Sequence, residues 1–141
     1  MTGIREIFAE VPRTYELLNH TLTFGQDILW RRETARAIAR GSGTLWLDAC
    51  SGTGELSAHL AKRAGPDTLI IAADFSLPMM TKARRRPEAS HLSFTLADMT
   101  HLPFRDETFD AIAMAFATRN VESAGHLPEC LAEFHRVLKP S

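Results

Sequence analysis

The chain has little that would cross-link it, anchor it or bind it to a polyanion. Two cysteines, Cys50 and Cys130, stand among 141 residues. They cannot build a disulfide framework, and a reducing compartment fits them. No apolar run approaches the length that spans a bilayer. A formal net charge of −1 argues against an overall electrostatic nucleic-acid binder. The opening MTGIREIFAE carries charge too early for a secretory leader. A cytoplasmic location and no nucleic-acid partner are therefore expected. The six histidines show no metal-ligand spacing, so no metal site is expected either. There is no internal repeat and no low-complexity tract. The one local excess of charge is Lys82, Arg84, Arg85 and Arg86, read as a solvated helix end, with an anion or membrane-headgroup contact as its alternative. What remains is ordinary for a globular chain, 45% hydrophobic and 23% charged, and long enough for one domain with a sizeable core.

Against that plain background the periodicities alternate. Residues 4–19 mix apolar and charged positions at helical spacing, and Thr23 to Gly25 break them. Asp27 is placed to cap a helix whose Ile28, Ala35, Ile38 and Ala39 share a face, ended by Gly41. Leu45 to Ala49 read as a buried strand. Leu56, Leu60 and Ala64 form a helical face that Gly65-Pro66 stops. Thr68 to Ala73 make a second strand ending at Asp74, and Ser76 caps a helix through Met80 and Ala83. Leu92 to Leu96 make a third strand running to Asp98. A polar loop, Leu102 to Thr108, leads to a fourth strand, Phe109 to Phe116. Leu127, Leu131, Phe134 and Leu138 give a last helical stripe, stopped by Pro140. Such alternation predicts βαβ units, a parallel sheet and right-handed crossovers.

In sheets of this kind ligands lie at the carboxyl ends of the strands. Asp48, Asp74, Asp98 and Arg119-Asn120 all fall at or just past predicted strand ends. The turn Asp48-Ala49-Cys50-Ser51-Gly52-Thr53-Gly54 is the densest of these signals. Its glycines permit a sharp turn and close ligand approach. The third glycine of a dinucleotide fingerprint is missing, because that position is Ser57. No Gly-Lys-Ser/Thr follows, so the chain has no P-loop. An acid ahead of the glycines would repel a pyrophosphate. It suits a cationic ligand without phosphate, and S-adenosylmethionine has those properties.

These residues resemble class I methyltransferases, and in particular the UbiE/COQ5 family of ubiquinone/menaquinone biosynthesis C-methyltransferases. Tyr15-Glu16-Leu17-Leu18-Asn19, Thr23-Phe24-Gly25 and Trp30-Arg31-Arg32 are similar to the family's Tyr-Asp-x-Met-Asn, Ser-x-Gly and Trp-Arg-Arg series. Asp48 to Gly54, Asp74-Phe75-Ser76 with Met79 and Met80, and Asp98 followed by Leu102-Pro103-Phe104 match further segments. Arg119-Asn120-Val121 and Arg136-Val137-Leu138-Lys139-Pro140 match the last two. Glu16, Leu18 and Thr23 depart mildly from the pattern. The linker containing Gly125 and Pro128 departs more.

The resemblance implies an α/β fold: a Rossmann-like class I methyltransferase sheet, mostly parallel, in strand order 3-2-1-4, preceded by N-terminal helices. Residues 1–41 would form a helical cap and residues 42–141 the cofactor-binding domain. The family continues past Lys-Pro-Gly-Gly into later strands, so this domain is expected to be incomplete, with Ala111 to Ala115 an open edge that seeks a second copy or a partner strand. The cofactor would be S-adenosylmethionine. Asp74 would accept the ribose hydroxyls. Gly52 and Gly54, with Ser51 and Thr53, would carry the methionyl part. Asp48 would bind the ammonium or order the loop, and Asp98 with Met99 would hold the adenine beside Phe75. Arg119, Asn120 and Tyr15 would serve the methyl acceptor. That acceptor would be a prenylated quinol precursor, a lipid that implies peripheral membrane contact. The alternatives are another small-molecule class I methyltransferase, or a cofactor-binding module without activity.

Overall fold

A computed structural model describes residues 26–115 and 125–141 of the chain. The helical spacing over residues 4–19, the break at Thr23 to Gly25, Tyr15, Arg119, Asn120 and the predicted strand end at Phe116 lie outside the described residues.

Leu45–Ala49 is an apolar run without glycine or proline, and it forms β1. It is flanked on both sides. β2 (Leu69–Asp74) pairs with it in parallel, from Leu45 opposite Leu69 to Ala49 opposite Ala73. β4 (Ala111–Ala113) pairs with it on the other side, with Leu47 opposite Ile112. β3 (Leu92–Leu96) lies outside β2, with Ile70 opposite Leu92. The sheet is therefore parallel and ordered β3-β2-β1-β4, as predicted. The fourth strand is shorter than expected at its start. Phe109 pairs instead with Leu138, through Phe109 N–H to the Val137 carbonyl at 2.9 Å and Lys139 N–H to the Phe109 carbonyl at 2.8 Å. The outer side of β4 is thus covered where it begins, and its open edge starts only beyond that point.

Four α-helices complete the described residues: α1 (Gln26–Arg40), α2 (Glu55–Ala61), α3 (Leu77–Ala83) and α4 (Leu127–Val137). A 3-10 turn, Pro87–His91, precedes β3. α3 begins where predicted, with the Ser76 hydroxyl accepting from Met79 N–H at 3.4 Å.

Successive side chains of a strand point to opposite faces. Leu47 and Ala49 enter one core with Ala73, Met99, Phe109, Cys130 and Val137. Trp46 enters the other with Ala35, Leu56, Leu60, Ile70 and Ala113. Asp48 follows Trp46 by two and so projects to the face covered by α1 and α2.

Two predicted helix faces are corrected. Asp27 does not cap α1. It lies in the first turn, fully buried, with Arg31 and Ala35 inside at the i, i+4 and i+8 positions, while Ile28 is 42% exposed and Ala39 faces solvent. Ala35 and Ile38 of the predicted face do pack into the core, and an ion pair at helical spacing takes the rest of the inward side. On α4 the buried positions are Cys130 and Val137, with Phe134 packed against them, while Leu131 is exposed. The motif ending this helix has a local task. Arg136 donates to the Phe104 and Leu102 carbonyls at 2.8 and 3.0 Å, and Glu133 accepts from Leu102 N–H at 2.7 Å, which fixes the loop before β4. Among the described residues no helix is long and apolar enough to cross a membrane.

Candidate functional site

The carboxyl end of β1 runs straight into a tight turn. Cys50, Gly52 and Gly54 take φ values of 56°, 55° and 84°. At Gly54 a side chain would also meet Ala83 Cβ at 3.0 Å and Arg86 Cδ at 3.5 Å, so this glycine lets the turn close onto the end of α3. The turn is tied down at each step. Ser51 N–H donates to the Ala73 carbonyl at 3.0 Å and Gly54 N–H to the Ser51 carbonyl at 2.9 Å. Gly52 N–H donates to Asp74 Oδ2 at 2.9 Å. Arg86 Nε donates to the Thr53 carbonyl at 2.6 Å.

Asp74 ends β2 and is almost wholly buried. Its second oxygen, Oδ1, accepts from Ser76 N–H at 2.8 Å. Its pKa is raised, mainly by burial, with the backbone donors at Ser76, Gly52 and Phe75 opposing. Three backbone donors leave the carboxylate room to accept from a hydroxyl as well. The carboxylate is therefore already a structural joint between two loops.

Asp48 is 1% exposed. Ser57, on the inward face of α2, donates to its Oδ2 at 2.5 Å. Its Oδ1 has no partner among the described residues. Burial drives its pKa from an ordinary 3.8 to about 7; the Ser57 bond and the charge of Arg31 pull it down, and Asp74 pushes it up. A buried carboxylate oxygen without a donor is costly unless a donor or a cation arrives. Asp98, just past β3, accepts through Oδ1 from Thr100 N–H at 2.9 Å and from its hydroxyl at 2.7 Å. The Met99 side chain is buried in the core. Phe75 is half-buried beside Asp74. Cys50 packs against the core, and its thiol is pushed far above its usual range by burial first, then by Asp74, Cys130, Asp48 and Asp98. The charges of Asp48, Asp74 and Asp98 all act on the Cys50 thiol.

Three residues at this site carry roles that sequence reasoning missed. Ser57 figured only as an absent glycine, yet it is the donor to Asp48. Its spacing of three from Leu60 was the available signal, since that puts it on the inward face. Arg86 sits in a basic run indistinguishable by composition from a solvated helix end. Arg31 belongs to a motif, but nothing in its spacing pointed to Glu55, with which it pairs at 2.7 Å.

A parallel sheet ordered β3-β2-β1-β4, with a glycine turn and acids at its carboxyl edge, is the Rossmann-like arrangement that class I methyltransferases share with dinucleotide-binding folds. A solved methyltransferase structure from Methanococcus maripaludis superposes with a TM-score of 0.70 at 24% identity, over 89% of this chain and 57% of that one. The model of the ubiE/COQ5 methyltransferase family matches residues 1–141, and the chain belongs to that family. It is 35% identical over 141 residues to a 2-phytyl-1,4-naphtoquinone methyltransferase of Nostoc punctiforme, covering 97% of this chain and 60% of the relative. It is 40% identical over 136 residues to a demethylmenaquinone methyltransferase of Thermus thermophilus, covering 95% and 60%. The chain thus spans about three-fifths of the length of these curated relatives.

Proposed function

We propose that this chain holds S-adenosylmethionine and serves the C-methylation of a prenylated quinol precursor. The observation that carries the reading is the unpartnered buried oxygen of Asp48 beside the Gly52–Gly54 turn. It fits a ligand that brings a cation and no phosphate, and the relatives named for naphthoquinone and menaquinone methylation supply the acceptor class.

The cofactor supplies an activated methyl group on a sulfonium. Asp48 takes the ligand ammonium, directly or through water. Ser51, Gly52, Thr53 and Gly54 lie against the methionyl part. Asp74 accepts the ribose hydroxyls with its remaining lone pairs. Asp98 and the Met99 backbone hold the adenine, with Phe75 alongside. A ring carbon becomes nucleophilic when the neighbouring phenol gives its proton to water; it would then take the methyl as the sulfonium C–S bond breaks to a neutral thioether and would lose its own proton to solvent, so a fixed cation at the phenolate lowers the barrier. Arg119 fills that role, Asn120 orients the ring hydroxyl, and Tyr15 lines the acceptor side. Residues 1–41 cap the pocket. A lipid acceptor brings the chain to a membrane surface, and the outer edge of β4 from Ala111 onward is where a second copy or partner strand would add.

Calorimetric titration tests the cofactor. S-adenosylmethionine is expected to bind, and NAD, with its pyrophosphate, is expected not to. Methyl transfer to demethylmenaquinol then tests the acceptor. Failure to bind S-adenosylmethionine would overturn the proposal. Binding without turnover on any quinol would leave only a cofactor-binding module.

A further inference from the structure

Arg31 stands outside the glycine turn in sequence and beside it in space. It is 5% exposed. One of its nitrogens, Nη1, lies 2.6 Å from Asp27 Oδ2 and 2.7 Å from Glu55 Oε2. Glu55 is the first residue of α2 and directly follows Gly54. Two residues further on, Ser57 donates to Asp48. One guanidinium therefore connects α1 to the point where the turn becomes a helix.

A buried ion cluster of this kind is a poor choice for stability alone. Desolvating the charges costs several kcal/mol per ion, and apolar residues of similar volume often serve as well or better. Here two carboxylates share one guanidinium. What the cluster does provide is a fixed direction, because a guanidinium presents its donors in a rigid fork.

The groups that act on Asp48 come from three elements: Ser57 from α2, Asp74 from β2 and Arg31 from α1. Asp74 and Arg31 act in opposite senses, and Asp27 and Glu55 flank Arg31 from α1 and α2. We propose that Arg31 is a positioning residue for the cofactor turn: it holds the first turn of α2 through Glu55 and supplies the positive charge that keeps Asp48 ready for a cationic ligand. The proposal rests on the cofactor reading above. It makes α1, expected from the sequence as part of a separate cap, an integral part of the cofactor pocket.

The test is calorimetric titration of S-adenosylmethionine from about pH 6 to about pH 9, around the neutral range in which Asp48 changes charge, with thermal melts alongside. Arg31→Met is expected to bind at least about tenfold more weakly at neutral pH, equivalent to about one pH unit in the ionisation of Asp48, with affinity recovering at higher pH. Arg31→Lys keeps the charge and should restore the pH midpoint while restoring affinity only in part. Glu55→Gln keeps the cation and releases α2; it should weaken binding without raising the midpoint. A folded Arg31→Met chain with unchanged affinity and pH profile would overturn the proposal. If Arg31→Met does not fold, unchanged affinity in both Arg31→Lys and Glu55→Gln overturns it. Failure of the unaltered chain to bind would instead remove the cofactor reading itself.

Discussion

Replacing Asp48 by Asn separates what this residue costs the fold from what it gives the ligand. The folded chain holds a proton on Asp48 up to about pH 7, whereas an unfolded chain releases it near 3.8. The stability that this proton contributes is therefore fully present below 3.8 and is lost as pH rises through about 7. Over the whole interval the loss is about 4 kcal/mol, and between about pH 5 and about pH 8 it is about 3 kcal/mol. Asn cannot lose that proton. It accepts from Ser57 as before, but its amide brings a buried donor whose partner is missing, a penalty of about 1–3 kcal/mol that does not vary with pH. The level of stability is thus uninformative and the slope is diagnostic. Urea unfolding at the two pH values should show the difference between variant and parent moving by about 3 kcal/mol in favour of the variant, or about 1–3 M in midpoint. The same substitution should weaken S-adenosylmethionine at high pH, where only the parent offers a negative charge. Parallel stability curves for the two proteins would refute the account of Asp48 as a buried, strained acid.

Three further substitutions, and one control at Gly65, probe the turn and the acceptor side. Gly54→Ala places a Cβ 3.0 Å from Ala83 Cβ at a φ of 84° and should lower stability by about 1–3 kcal/mol in thermal melts, whereas Gly65→Ala, with its nearest contact at 3.7 Å, should be nearly silent. Arg86→Met removes the donor to the Thr53 carbonyl; calorimetry should show weaker cofactor binding, with a stability loss of about 1–3 kcal/mol. Arg119→Met should reduce the methyl-transfer rate by about 10²–10³ while cofactor affinity stays unchanged, and an equal loss of affinity would move Arg119 out of the acceptor site.

Strand identity was legible because a parallel sheet writes itself as short apolar runs separated by helical periods, while the strand order came from the family resemblance. Leu45–Ala49, Leu69–Asp74 and Leu92–Leu96 are such runs, and each ends near an acid. The approximate convergence of Asp48, Asp74 and Asp98 follows from that rule alone. What stayed hidden depends on pairing across the chain. Asp27 and Arg31 look like solvent residues until Glu55 joins them from α2. Phe109 looks like the start of a strand, and its neighbour proves to be Leu138, nearly thirty positions on. Arg86 reads as one of several basic residues until the turn supplies a carbonyl for it. The buried face of α4 was misjudged for a simpler reason: Cys130 and Val137 are smaller than Leu131, and hydrophobic size on a helix does not say which side meets the core.

Cys50 gives the acid-rimmed turn a chemical consequence of its own. A thiol attacks, oxidises or alkylates through its thiolate. At Cys50 burial and the surrounding carboxylates make the thiolate scarce at neutral pH. The charges that suit a positively charged ligand therefore also passivate the sulfur beside it. The turn can carry a cysteine beside the proposed cofactor without offering it a competing nucleophile, and its sulfur starts the oxidation ladder from an unreactive rung.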